Sequence, residues 1–333
     1  MRRVGVRDDR GAIAVMAALL LVVLIGATGL AVDVGASYAK RQEAQNGADA
    51  AALAVAQQCA VDNDCTTATL SAAKQGIADD FATGNLRGAP LLSAEGTVDP
   101  DARTVTVTVR SEKQNYFMPV LGADATSEVA AEATAQWGEP AGGTAMLPFT
   151  FSVCELNKAG PPPTPAVTLY FPKHHPDGTT CTWGPDSNVM PAGFAFVGDS
   201  GDCSVYVDPD NAWVRSQTGS DVPSECTAAY FQSMVGEVVL IPVFDSCRTG
   251  GSHSPECPQE LSLPANANEY HIYGFAAFKL HGYYLNNTYK YSAPCGSPQK
   301  CLRGEFVKWV DLEAALEYGE APDLGASTVI LID

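Results

Sequence analysis

The chain has 333 residues, with 20 lysines and arginines against 38 aspartates and glutamates, and a formal net charge of −18 at pH 7. An acidic surface of this kind repels phosphate backbones, which excludes nucleic-acid binding and is typical of a domain kept soluble by its charge.

Residues 12–32, AIAVMAALLLVVLIGATGLAV, contain no charge and predict a transmembrane helix. At about 1.5 Å per residue they are long enough to cross a bilayer. Four arginines precede the span, whereas the first basic residues after it are Lys40 and Arg41. The positive-inside rule therefore predicts a cytoplasmic basic tail over residues 1–11, a single pass through the cell membrane, and an extracytoplasmic remainder. A cleaved signal peptide is the alternative, although Ala27-Thr28-Gly29 matches its cleavage site only loosely.

The helix is expected to continue outward to about residue 58, because the sequence there is alanine-rich and lacks proline. Three- and four-residue steps place these residues on one face: Val34, Tyr38, Gln45, Ala48, Ala52 and Val55. Small residues dominate that face and suit close helix packing, either on the chain's own domain or on a partner.

Alternating helix and strand patterns follow in residues 66–137. A second helix is predicted from an N-cap at Thr66 or Thr67 to about Thr83. Two strands are predicted at 93–98 and 104–110, the latter from the strict alternation TVTVTVR. Further elements are a short helical or turn segment at 116–121 and a third strand at 126–137, for which helix is the alternative.

Residues 138–148, GEPAGGTAMLP, predict a linker between domains. From residue 149 to 333, short apolar runs separated by turn residues predict a mostly-β, sandwich-like extracytoplasmic domain. Helices are expected within it at 222–234, with Pro223 in the first turn, and at 312–318. The predicted fold class is thus α+β, with a transmembrane helix, a helix-plus-strands domain and a disulfide-containing β-domain.

All ten cysteines lie after the span, which fits disulfides formed in an oxidising compartment: Cys59, Cys65, Cys154, Cys181, Cys203, Cys226, Cys247, Cys257, Cys295 and Cys301. Short turn-rich separations favour the pairs Cys59–Cys65, Cys247–Cys257 and Cys295–Cys301. Cys203–Cys226 and Cys154–Cys181 remain, but the sequence leaves the connectivity open. A zinc site is not expected, because there is no Cys-x-x-Cys pair.

Residues 10–57 resemble the N-terminal region of TadE/TadG-like proteins of the tight-adherence (Flp) pilus-assembly system. The resemblance rests on Arg10-Gly11 before the span, on AVDVG (31–35) at its exit and on QNGADAAA (45–52). It implies that residues 33–137 form a TadE/TadG-like domain similar to pilins in design. It also implies that other Tad/Flp proteins bind the N-terminal helix.

Two departures from this family refine the expectation. Prepilins of the system are cut after a glycine and carry a glutamate five residues on, whereas the fifth residue after Gly11 is Met16. We therefore expect the span to remain in the membrane as an anchor. The Asp-x-Ser-x-Ser metal series of the von Willebrand A-type domains in many TadG-like proteins is also missing, so the second domain is expected to be of another kind.

Enzymatic interpretations are weaker than this resemblance. GDSGD (198–202) resembles a serine-hydrolase pattern around Ser200. A β-turn is favoured, because none of the five histidines lies in the sequence context of a catalytic triad. These histidines are His174, His175, His253, His271 and His281. A calcium site is not favoured, because the loop aspartates do not have the spacing of an EF-hand: Asp199, Asp202, Asp208 and Asp210. Six aromatic residues are interpreted as core residues of a strand and not as a ligand-binding surface: Tyr270, Tyr273, Phe275, Phe278, Tyr283 and Tyr284.

The leading hypothesis from sequence is a non-enzymatic, membrane-anchored component of pilus assembly, with no metal and no cofactor. The alternatives are a surface adhesin or receptor whose β-domain binds a wall or host ligand, and a hydrolase using Ser200.

Overall fold

The computed structural model of the chain describes residues 10–171, 180–184, 188–191, 193–198, 203–208, 210–216, 222–249, 252–254, 268–311, 316–318 and 321–332. Residues 1–9 of the predicted basic tail lie outside this part of the chain. The chain forms two compact units: unit 1 takes Met1–Gln58, Cys65–Gln136 and Leu331–Asp333, and unit 2 takes Cys59–Asp64 and Trp137–Ile330. The mixed α+β class is confirmed, with a mostly-β second part.

A single long helix, α1 (Arg10–Asp62), contains the apolar span and continues beyond it without a break, as predicted. Over residues 13–32 its large apolar side chains are exposed, with Leu19 at 65 % and Val22 at 69 %. Among the described residues α1 is the one helix long and apolar enough to cross a membrane. The chain is therefore a candidate single-pass membrane protein.

The second half of α1 packs on its own unit. Its buried face consists of small side chains with no exposed surface: Ala44, Ala48, Ala51, Ala52, Val55 and Ala56. Val34 and Tyr38, which were predicted to share this face, are instead 60 % and 69 % exposed. The buried stripe instead passes through Asp33, which is 2 % exposed. Assigning the face from the apolar residues alone was therefore wrong for its first turns.

Helix α2 (Ala72–Asn85) begins later than predicted, because Ser71 rather than Thr66 or Thr67 is the N-cap and accepts a hydrogen bond from the N–H of Lys74. Thr69 instead bridges to Thr97. Three antiparallel strands complete unit 1 in the order β1-β2-β3: β1 (Leu91–Asp99), β2 (Thr104–Gln114) and β3 (Thr126–Gly138). The strand prediction for 126–137 was therefore right, and the helical alternative wrong.

The predicted alternation of β2 is confirmed, since Val105, Val107 and Val109 are fully buried. The strand extends past its predicted end at residue 110, and its buried positions continue through Ser111 and Lys113. The hairpin between β2 and β3 carries a 3₁₀ turn, Met118–Leu121, ended by Gly122 with a φ of 83°.

Unit 2 is built mainly of strands, with two short helices. In chain order its elements are β4 (Pro140–Ala145), β5 (Phe149–Ser152), α3 (Val153–Ala159), β6 (Val167–Tyr170), β7 (Thr180–Trp183), β8 (Asn188–Pro191), β9 (Phe194–Phe196), β10 (Val205–Val207), β11 (Trp213–Arg215), α4 (Ala228–Ser233), β12 (Val238–Thr249), β13 (Ser252–Ser254), β14 (Asn268–Tyr284), β15 (Lys290–Tyr291), β16 (Cys301–Val307), β17 (Trp309–Asp311), β18 (Leu316–Tyr318) and β19 (Ala326–Ile332).

Within the described residues, nine strands form one sheet along the path β6-β16-β14-β12-β5-β9, with β11, β13 and β15 paired at its sides. Both faces of this sheet are buried. Along β12, Val239 and Ile241 belong to one hydrophobic cluster, whereas Leu240 and Phe244 belong to another. Strands buried on both faces have continuous apolar runs, which explains the sequence VVLIPVF. The three-stranded sheet β10-β4-β18 contributes Ala145, Val205 and Val207 to the second cluster.

Three predictions for unit 2 were wrong. Residues 140–145 of the predicted linker form β4, whose small residues pair with β10 and β18. Glycine and alanine give no periodicity, so this strand left no pattern in the sequence. The helix expected within 222–234 is present as α4, but it starts after an N-cap at Thr227, so the prediction that Pro223 lies in its first turn was wrong. Residues 316–318 of the second predicted helix form strand β18, while 312–315 lie outside the described residues.

Disulfide bonds join Cys154 to Cys181, Cys203 to Cys226 and Cys295 to Cys301. Cys295–Cys301 is one of the pairs favoured from the sequence, whereas Cys154–Cys181 and Cys203–Cys226 are the two pairs that remained there with the connectivity open. Cys59, Cys65 and Cys247 are also disulfide-bonded. The pairings Cys59–Cys65 and Cys247–Cys257 stay predictions, and Cys257 lies outside the described residues.

Candidate functional site at the end of the apolar helix

A buried carboxylate lies one residue after the apolar span. Asp33 Oδ1 accepts a hydrogen bond from the backbone N–H of Tyr116 at 2.8 Å. Its Oδ2 accepts from the N–H groups of Phe117 at 2.9 Å and Met118 at 2.8 Å. The carboxylate thereby satisfies three consecutive donors at the start of the hairpin turn, which α1 could not do with an apolar residue at this position.

A buried lysine completes this arrangement from strand β2. Lys113 is 3 % exposed, and its Nζ donates to the backbone oxygen of Asp33 at 2.8 Å and to Ser37 Oγ at 2.6 Å. Ser37 Oγ in turn donates to the same Asp33 oxygen at 2.9 Å. We call this set, Asp33, Ser37, Lys113 and the N–H groups of 116–118, the Asp33 clasp.

The electrostatics of the clasp favour an ionised Asp33. Burial acts to raise the pKa of this carboxyl, but the three backbone N–H donors and the Lys113 ammonium outweigh it and hold the pKa below its usual value. The charge of the Lys113 ammonium lowers that pKa from a distance, while its hydrogen bonds go to the backbone oxygen of Asp33 and to Ser37 Oγ. Buried polar groups that are satisfied in this way fix the geometry, because removing one of them leaves its partner in the interior without a hydrogen bond.

The clasp places the hairpin turn against the last turns of the span. A Cβ atom at Gly29 would lie 2.7 Å from Cγ and Cδ1 of Phe117, so only glycine lets this ring lie on the helix. Around the ring, Tyr116, Val120 and Leu121 are 64 %, 82 % and 72 % exposed. The site thus positions the hairpin turn on α1 and has an apolar outer surface.

Sequence reasoning missed the clasp, although two signals were present. Continuing the β2 alternation from Val109 places Ser111 and Lys113 on the buried face, where a lysine requires a partner. Asp33 is the first charge after the span. The contact between Asp33 and the hairpin is set by the tertiary fold, so the sequence pattern could not predict that these two segments meet.

The motif at 45–52 serves the packing of unit 1. A Cβ atom at Gly47 would lie 3.2 Å from the backbone oxygen of Ala82 on α2. Ala48, Ala51 and Ala52 are fully buried, and Gln45 Nε2 donates to Glu132 O at 3.0 Å. These residues favour packing on the chain's own domain over the alternative of a partner helix.

The structure brings together few of the residues considered for chemistry. Ser200, His174, His175, Asp199 and Asp202 lie outside the described residues. In the described part of the chain no group of three or more histidine, cysteine, aspartate or glutamate side chains could hold a metal ion.

The remaining described candidates have structural surroundings. Asp208 Oδ1 accepts the N–H of Asp210 at 2.9 Å, which is a local turn contact. His271 Nδ1 lies 2.8 Å from Asp245 Oδ1, and its ring packs edge-on against Trp213. The aromatic residues of β14 are core residues, with these at 8 % exposure or less: Tyr270, Phe275, Phe278, Tyr283 and Tyr284.

A second candidate site is a cavity of about 510 Å³ in unit 2. Tyr206 and Trp213 contribute aromatic surface to its lining, and Tyr206 is 53 % exposed. Arg215 and Glu269 also line it, with Nε and Oε1 3.9 Å apart. An aromatic surface beside polar and charged groups can bind a small polar ligand.

A long N-terminal helix, apolar in its first half and packed on antiparallel strands in its second, defines a helix-plus-sheet protein with an apolar segment of membrane length. Residues 11–58 match the family model described as Flp pilus-assembly TadE/G-like. The match covers the span, Asp33 and the packed half of α1, and it confirms the resemblance of the N-terminal region. No curated protein and no solved structure shows a significant match to the chain.

Proposed function

We propose that the chain is a non-enzymatic, single-pass membrane component of Flp/Tad-type pilus assembly. The observation that carries this proposal is the family match over residues 11–58, which falls on the apolar span and on the helical face that attaches the span to unit 1. The matched family is described by pilus assembly and not by a reaction.

The orientation we propose places the N-terminus in the cytoplasm and both units outside the membrane. The arginines before residue 12 support it through the positive-inside rule. Disulfides such as Cys154–Cys181 and Cys203–Cys226 support it independently, because they persist in oxidising compartments. Protease added to intact spheroplasts should digest the C-terminal unit and leave an N-terminal tag protected. Protection of both ends would contradict this topology.

The role in assembly is tested by deleting the gene and restoring it in two forms. The full chain should restore pili, and a variant whose residues 12–32 are replaced by an unrelated apolar span of equal length tests whether the span does more than anchor. We expect loss of pili in the deletion strain. Pili that assemble and adhere unchanged without the gene would refute the proposal.

Retention of the span is a separate part of the proposal. Met16 stands where a processed prepilin has glutamate, so we propose that the chain keeps residues 12–32 as a lasting anchor. Intact mass spectrometry of the protein from membranes, without reduction, tests this directly. An N-terminus at Ala12 would show cleavage after Gly11 and contradict it. The same mass reports how many thiols are oxidised.

A surface receptor or adhesin is the second candidate, and the cavity beside Trp213 favours it. We would probe a glycan array with the full chain in lipid nanodiscs. Trp213→Ala should then abolish binding, whereas Tyr291→Ala, at an exposed position of unit 2 that does not line the cavity, should preserve it. Absence of binding by the native chain would remove this candidate. A hydrolase using Ser200 is the third and weakest candidate, and unchanged activity in Ser200→Ala would exclude it.

A further inference from the structure

The hairpin turn of unit 1 exposes a cluster of large apolar side chains. We call residues 116–121, YFMPVL, the apolar tip. Val120 is 82 % exposed, Leu121 72 %, Tyr116 64 % and Phe117 41 %. The sequence carries no charge between Lys113 and Asp124. Adjacent exposed aromatic and aliphatic side chains of this kind mark a surface that binds an apolar partner.

The depth of the apolar tip relative to the span is fixed by contacts. The ring of Phe117 lies on Gly29, three residues inside the end of the apolar stretch 12–32. The clasp binds the N–H groups of 116–118 to Asp33, the first residue after that stretch. The tip is therefore level with the last turn of the span and cannot lie far from the membrane surface when the span crosses the bilayer.

Two charged residues near the end of the span are withdrawn from the surface. Asp33 and Lys113 are 2 % and 3 % exposed and bound within the clasp, whereas Asp124, beside Asn115 at the base of the tip, is exposed. Leu30 and Val32, in the same turn of α1 as Gly29 and Asp33, are exposed apolar residues at 49 % and 46 %. Tyrosine and other aromatic side chains are enriched at the membrane interface, where their rings lie at the level of the headgroups.

We propose that the apolar tip inserts into the boundary between headgroups and acyl chains of the same bilayer that holds α1, as a second membrane contact of unit 1. The inference rests on the proposed membrane anchoring. Its partner is the lipid surface, because the tip is continuous with the span and is held at the span's end. A tip bound in this way restrains the tilt of unit 1 about α1, since two separate contacts then define its orientation.

The depth of side chains in the full-length protein in lipid nanodiscs tests this proposal. A nitroxide on p-acetylphenylalanine, which leaves the ten cysteines unmodified, is placed at position 120 and its collision rates with oxygen and with a water-soluble nickel chelate are compared. Position 81 is the control: Phe81 is also an exposed aromatic residue of unit 1, at 49 %. Its neighbour Ala82 lies against Gly47, about 21 Å farther along α1 than Asp33. Position 22, in the middle of the span, reports whether the helix crosses the bilayer.

We expect oxygen collisions to exceed nickel collisions several-fold at position 120 and at position 22, and the reverse at position 81. A label at 120 that behaves like the one at 81, while 22 remains in lipid, overturns the inference about the tip and leaves the anchoring intact. A label at 120 shielded from both probes also overturns it, because the tip is then covered by protein. A label at 22 that is accessible to the nickel chelate overturns the anchoring itself.

Discussion

Substituting the buried lysine of the Asp33 clasp gives the sharpest test of the structure. Lys113→Met keeps the aliphatic stem of the side chain and removes its ammonium. Two hydrogen bonds are lost, at 2.8 Å to the backbone oxygen of Asp33 and at 2.6 Å to Ser37 Oγ. The Asp33 carboxylate also loses the nearby positive charge of Lys113, which lowers its pKa.

The expected magnitude follows from these contacts. A hydrogen bond to a charged group contributes about 1.5–3 kcal/mol, so two bonds set an upper range near 3–6 kcal/mol. Two effects reduce it: Ser37 Oγ still donates to the Asp33 oxygen at 2.9 Å, and methionine fills the apolar space of the stem. We expect the bound state of the hairpin turn on α1 to lose about 2–4 kcal/mol of stability. The equilibrium constant for opening of the turn then increases about 30- to 700-fold.

Hydrogen–deuterium exchange of the full chain in nanodiscs measures this opening. The reporter is the peptide that contains the amides of Tyr116, Phe117 and Met118, whose protection should fall by that factor. The matched control is Arg110→Met on the same strand. It removes an equally short ion pair, Arg110 Nη1 to Glu128 Oε1 at 2.7 Å, from an exposed position, and should leave protection unchanged. Native-like protection in Lys113→Met, or an equal loss in Arg110→Met, would refute the clasp.

Three further predictions follow from the same contacts. Hydrogen bonds hold the pKa of Asp33, which lies outside the span, below 3.8 in the folded chain. The stability that its carboxylate contributes is therefore present above pH 3.8 and is lost as the pH falls through the pKa of the folded state. Protection factors of the turn should be constant from pH 7 to about 4 and should decrease at lower pH. Burial raises the pKa of Glu155 above 4.5, so its ionised form costs stability at neutral pH; Glu155→Gln should raise the Tm at pH 7, and a gain that persists below pH 4.5 would contradict this. Gly47→Val should cost about 1–3 kcal/mol in chemical denaturation because its side chain meets Ala82 O, whereas Gly76→Ala, with open space around it on α2, should be neutral or stabilising.

The sequence predicted the elements whose side chains carry a clear period. TVTVTVR became β2, and the uninterrupted helical residues from 12 to 58 became α1, because in both cases local preference and burial agree. The disulfide-rich β-domain was likewise indicated by short apolar runs between turn residues. These are properties that neighbouring residues determine together, without knowledge of distant contacts.

The remaining features depend on contacts between distant segments. PAGGTA forms β4 because two other strands pair with it, and glycines carry no pattern that would show this. Residues 316–318 have helical residue types but complete the same sheet, so pairing overrides propensity. The buried stripe of α1 runs through Asp33 and not through Val34, because the donors that make a buried carboxylate acceptable come from a hairpin about 80 residues away.

The clasp also gives a physical meaning to the AVDVG segment at the end of the span. A carboxylate directly after an apolar helix would ordinarily mark no more than the point where the chain meets water. Here it is buried, and together with Gly29 it fixes two things at once: the level along α1 at which the hairpin turn lies, and the face of α1 that the turn covers. One residue added or removed between Gly29 and Asp33 would rotate one contact by about 100° relative to the other and change their separation along the axis by about 1.5 Å. The spacing of these two residues therefore constrains how the hairpin lies relative to the apolar span, which the span alone would not do.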